Sequence, residues 1–144
     1  MLHLRIATAA ALAMFGIARM ASASPAQDYM LYCMGCHGAN AQGIAGKIPA
    51  LAGALPRYMR TSEGRDYVLR VPGAANSVLS DAQLAAVLNW LAETYAVAGE
   101  PRPAPFSVDE VTRARHTPLV NVLETRRAVL RALAATGPAP ASDY

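Results

Sequence analysis

A chain of 144 residues, 53% hydrophobic and 16% charged, can bury a core and is too apolar to stay disordered. Its 13 basic residues are 12 arginines and Lys47, set against 10 acidic ones, and no basic cluster is interleaved with aromatics, which speaks against nucleic acid as a partner. Alanine-rich stretches and ten prolines, with few β-branched runs, point to short helices joined by turns and so to an all-α fold.

The chain opens with Met1-Leu2-His3-Leu4-Arg5, runs uncharged from Ile6 to Ala18, and reaches the small residues Ala21-Ser22-Ala23. A positive start, an apolar middle and a small-residue end make residues 1–23 a secretory signal, cut after Ala23. Arg19, between the apolar run and the cut, is unusual there and leaves an uncleaved anchor as the alternative. Cleavage removes Arg5 and Arg19, so the mature chain holds 11 basic and 10 acidic residues. No apolar run in it approaches the ~18 residues of a membrane-crossing helix, so no stable span is expected.

Both cysteines lie in Cys33-Met34-Gly35-Cys36, and His37 follows at once. Cys-x-x-Cys-His is the attachment signature of c-type haem. Each thiol adds across one vinyl group, the two-residue spacing matches the vinyls, and the adjacent imidazole comes to the iron from the proximal side. Attachment of this kind occurs outside the cytoplasm, in agreement with a signal. The rivals, a structural disulfide, a thioredoxin-like redox pair and a zinc site, are weaker. A thioredoxin-like pair wants a βαβ pattern around it, and a tetrahedral zinc site wants more ligands than two cysteines, His37 and His116 supply.

Further along, Gly43 and Gly46 let the loop after the motif turn. Pro56-Arg57-Tyr58-Met59-Arg60 reads as a short helix. From Ser80 to Ala96 the pattern is the clearest in the chain. Ser80 and Gln83 form a capping box, and Leu84, Val87, Leu88, Leu91 and Tyr95 share one face. Residues 99–105 are a Pro-rich, stiff linker. Ser107 and Glu110 predict a second capping box for a helix to about His116, and Thr117-Pro118 restarts the chain for another helix to about Ala135, ended by Gly137-Pro138. In that last helix Val122, Val129 and Leu133 fall on one side, with Arg126, Arg127 and Arg131 largely on another.

About residues 25–98 resemble the class I c-type cytochrome family. Gln27-Asp28-Tyr29-Met30-Leu31-Tyr32 is similar to that family's first helix, Gly38 to the glycine that follows its motif, Pro49-Ala50-Leu51-Ala52-Gly53 to its Pro-x-Leu-x-Gly, and Leu79-Ser80-Asp81 through Asn89-Trp90-Leu91 to its closing helix. The resemblance implies a cytochrome c fold around one covalent haem c held by Cys33 and Cys36, with His37 as iron ligand. It implies that the Pro49 carbonyl accepts a hydrogen bond from the ligand's other nitrogen, that Leu51 packs on the haem face, and that first and closing helices cross.

One part of the pattern is absent. The family's sixth ligand, a Met shortly before the closing helix, would fall around Val71-Pro72-Gly73, where there is none. Met30 and Met34 belong to the proximal side. Met59 is the remaining sulfur candidate, and the same pattern suits it as a core residue; otherwise His116, Asn76 or water fills the position, or the iron is five-coordinate.

The expected organisation is a signal over 1–23, a cytochrome domain over 24–98, a linker over 99–105, a helical hairpin over 106–136 and a flexible tail over 137–144. The hairpin either packs back on the domain or docks a partner. The expected function is one-electron transfer in the periplasm, by a carrier or by the electron-accepting subunit of a dehydrogenase or other redox complex, with a dehydrogenase or second cytochrome subunit as the redox partner. The alternative is a binder or sensor of NO or CO through a weakly held sixth position. No independent catalytic constellation is present, so no enzyme activity of its own is expected.

Overall fold

The computed structural model describes residues 23–117, 119–138 and 140; the expected signal segment, but for Ala23, and most of the expected tail lie outside the described residues. Eight helices follow in chain order among these residues: α1 Pro25–Tyr32, α2 Met34–His37, α3 Leu55–Tyr58, α4 Ser62–Arg70, α5 Pro72–Ala75, α6 Asp81–Thr94, α7 Val108–Arg115 and α8 Val122–Thr136. No strand occurs among them, and one isolated bridge pairs Ile44 with Ile48. The all-α expectation holds.

Caps set the helix starts. Ser24 and Gln27 close a reciprocal capping box on α1, and Ser80 with Gln83 closes one on α6. Each box satisfies two backbone N–H groups that the first turn leaves unpaired. On α6, Leu84, Val87, Leu88 and Leu91 are buried, as their spacing requires. α1 packs across α6, with the Tyr29 and Trp90 ring centroids 5.7 Å apart and tilted by 46°. The Tyr29 hydroxyl then donates to Gly38 O at 2.6 Å, tying this crossing to the loop after α2.

That loop spans residues 38–54 and folds on itself. Ala41 O accepts from Leu51 N and Ala52 N, while Gly43 N donates to His37 O. Gly43 has φ 68°, and a Cβ there would lie 2.3 Å from Ile48 O, so glycine is required both by conformation and by space.

The C-terminal third is packed onto the cytochrome part. α7 lies against α6 and α4, and α8 against α4. Phe106, Val111, Val129 and Leu133 join the same buried cluster as Tyr29, Leu69 and Leu91. Residues 99–106 form a strap tied to the cytochrome part. Asn89 receives Phe106 N at 2.7 Å on its Oδ1 and donates to Phe106 O at 3.0 Å. Arg65 of α4 donates to the carbonyls of Ala104 and Pro105, grips the Glu110 carboxylate through two nitrogens, and lies 4.3 Å over the Phe106 ring.

Three details of this third depart from expectation. Ser107 caps α7 through Glu110 N, but the Glu110 carboxylate is held by Arg65, so no reciprocal capping bond closes the box. The last helix begins at Val122, capped by Asn121 through Glu124 N, and not at Thr117-Pro118; Pro118 lies outside the described residues. Arg126 is 4% exposed, within the Val129 and Leu133 stripe, while Arg127 and Arg131 face outward.

Candidate haem site

The cysteine motif sits at a break between two helices. Cys33 caps α1 with its N–H on Tyr29 O, then φ −125° and ψ −36° redirect the chain into α2. The single turn of α2 carries Met34, Gly35, Cys36 and His37. Both thiols are free, with Cys33 partly covered and Cys36 exposed. Burial pushes the Cys33 thiol up from its usual range, and the nearby Asp28 charge adds to this.

His37 is oriented by the loop it precedes. Its Nδ1 lies 3.0 Å from Pro49 O, twelve residues on. A carbonyl only accepts, so Nδ1 carries the proton and Nε2 keeps its lone pair free for a metal. Burial also lowers the imidazole's pKa, with the Pro49 bond acting the other way, which favours the neutral ring a metal needs. Leu51, in the same loop, is partly buried against the core.

These residues fit a covalent haem. Two free thiols one helical turn apart flank an imidazole with one nitrogen spare. Within the cytochrome part the chain also leaves large apolar side chains uncovered: Met30 at 53%, Leu31 at 69%, Tyr32 at 51%, Ile44 at 49% and, just before α6, Val78 at 81%.

Met59 caps the end of α3 and is 2% exposed inside the core cluster, enclosed by protein side chains. Asn76 is the exposed C-cap of α5, and His116 the exposed C-cap of α7. The sequence did not reveal α4, α5 or Arg115. The side chain of Arg115, 6% exposed, reaches from α7 to the segment between α5 and α6. The only signal for it was an arginine near a helix end.

Fold, motif and imidazole geometry together define a small c-type haem protein. The profile of the cytochrome c family matches residues 26–94. A cytochrome c-552 of Thermus thermophilus is 32% identical over 127 aligned positions, which cover 75% of this chain and 85% of that protein. A second cytochrome c-552 from the same species is 32% identical over 102 positions, covering 58% of this chain and 78% of that protein. The chain belongs to the cytochrome c family; it carries one covalently attached haem c, through Cys33 and Cys36, and serves electron transfer. Such a protein requires a redox partner. Among the described residues no helix is long and apolar enough to cross a membrane.

Proposed function

We propose that this cytochrome works after export, in the periplasm, passing single electrons between a dehydrogenase or second cytochrome subunit and a further acceptor. The haem supplies the one-electron chemistry. Among the chain's own residues, His37 would bind iron through Nε2, with Pro49 O holding the ring in place. Leu51 would cover the proximal face. The carrying observation is that His37–Pro49 bond beside two free thiols, because it fixes tautomer and direction at once. Met30, Leu31 and Tyr32 form uncovered apolar surface on the helix that leads into Cys33, where a partner would approach the thioether edge.

The far side of the haem is assigned to residues 71–79. The loop over 38–54 is committed to the His37 side through Pro49. Of the large apolar side chains left exposed in the cytochrome part, Val78 is the one outside both that loop and α1. Met59 is assigned to packing, since protein atoms enclose it. The sixth position then lacks a strong sulfur ligand, which is also what a gas binder would need.

Two measurements test this reading. Intact mass of periplasmic material should equal residues 24–144 plus one haem; a full-length mass would favour an anchored protein. Met59→Ala should leave the Soret band unmoved while costing about 2–5 kcal/mol of stability. A shifted spectrum would restore Met59 as the ligand. Ferrous protein that binds CO at neutral pH would support a weakly held sixth position.

A further inference from the structure

The segment that joins α5 to α6 is held by a residue from outside the cytochrome part. Ala75 is the last residue of α5, and residues 76–80 are not helical, so their carbonyls find few local partners. One guanidinium takes three carbonyls at and beside this segment. Arg115, at the end of α7, donates through Nη2 to Ser77 O at 2.6 Å and to Ala75 O at 3.4 Å, and through Nη1 to Leu79 O at 2.8 Å. Nη1 also meets Asp81 Oδ1 at 2.9 Å. The arginine is 6% exposed, so these bonds are shielded from water. Two more ties run in parallel: Arg70 Nε to Thr117 O at 2.7 Å, and Thr112 Oγ1 to Asp81 Oδ2 at 2.6 Å.

Between the two carbonyls that Arg115 holds most closely stands Val78, 81% exposed. A planar fork of donors on alternate carbonyls fixes backbone direction, and with it the place where the intervening side chain points. We infer that Arg115 is a positioning residue for the sixth coordination side. The C-terminal hairpin, through this one guanidinium, holds residues 75–79 against the haem and restricts entry of an exogenous ligand. The inference rests on the reading above that residues 71–79 face the sixth position.

The test compares CO association with the ferrous holoprotein by stopped flow in wild type, Arg115→Ala, Arg115→Lys and Arg131→Ala, the last an exposed arginine on α8. Arg115→Ala should accelerate association about tenfold, a size typical of losing one coupling residue, or allow binding where the wild type refuses CO. Arg115→Lys keeps the charge but not the fork, so it should restore only part of the wild-type behaviour, and Arg131→Ala should match the wild type. A change confined to the denaturation midpoint, with CO kinetics and Soret band unmoved, would overturn the inference, as would refusal of CO by both wild type and Arg115→Ala. If Arg115→Ala does not fold, Arg115→Gln decides. It can satisfy only part of the carbonyl set and should give an intermediate acceleration, while wild-type kinetics would count against the proposal. A pyridine haemochrome spectrum of the wild type separates the two levels: no covalent haem sinks the function itself, whereas haem with Arg115-independent kinetics sinks only this assignment.

Discussion

Between residues 25 and 94 the polar contacts are largely helix caps and turn bonds, and the helices meet through buried apolar and aromatic groups such as Tyr29, Leu69, Val87 and Leu91. Between residues 99 and 136 apolar burial continues through Phe106, Val111, Val129 and Leu133, but most of the placing is done by arginine. Arg57 and Arg60 share Glu100, Arg65 holds Glu110, Arg115 holds Asp81, and Arg102 pairs with Glu93. Apolar contact is non-directional, whereas a guanidinium presents donors in a rigid fork and bonds well in few arrangements. The cytochrome part can therefore be organised by a cofactor and a hydrophobic cluster. The hairpin, with no cofactor of its own, takes its register from directed bonds to carboxylates and orphan carbonyls. Lysine would not reproduce those forks, a physical reason for 12 arginines against one lysine.

The comparison breaks most visibly at the cysteines. Cys33→Ala combined with Cys36→Ala should abolish haem that survives acid-acetone extraction, and the cytochrome part should lose its cooperative unfolding transition. A double variant that keeps covalent haem would refute the attachment chemistry.

A smaller effect sharpens the contrast from the other side. Leu133→Ala removes a side chain that is 4% exposed where α8 contributes to the core. It should cost about 2–5 kcal/mol in urea unfolding while leaving the haem spectrum unchanged. A spectral change would mean that the hairpin's packing, and not only its arginines, reaches the haem.

The mildest effect concerns acid. Hydrogen bonding from Arg57, with a further bond from Arg60, holds the Glu100 carboxyl at about 2 against an ordinary 4.5. A folded value below the unfolded one adds stability at pH above 4.5, which fades as the pH falls toward 2. Glu100→Gln should flatten this acid limb of the urea midpoints and leave haem content untouched. An unchanged limb would show that the strap over residues 99–106 is held without this ion pair.

What could be read from the sequence follows the same division. Cys33, Cys36 and His37 carry their chemistry in five consecutive residues, and the Ser80–Gln83 box needs only four, so both were legible. α4 was not, because Glu63, Arg65, Asp66 and Arg70 dilute a buried face made by Gly64, Tyr67, Val68 and Leu69. Arg126, expected with Arg127 and Arg131 on a side away from Val129 and Leu133, sits in the core stripe instead. The partners of Arg65 and Arg115 lie some 34–45 residues away, beyond any local pattern. The reciprocal cap expected of Glu110 failed for the same reason, since Arg65 competes for its carboxylate.

The central claim is that this chain carries electrons singly on one covalent haem. A spectroelectrochemical titration of the purified holoprotein addresses it most directly. The account predicts one reversible transition at the haem bands, with the oxidised-to-reduced ratio changing tenfold per about 59 mV, the slope of a one-electron couple. A transition of half that slope, an irreversible one, or none at the haem bands would contradict it.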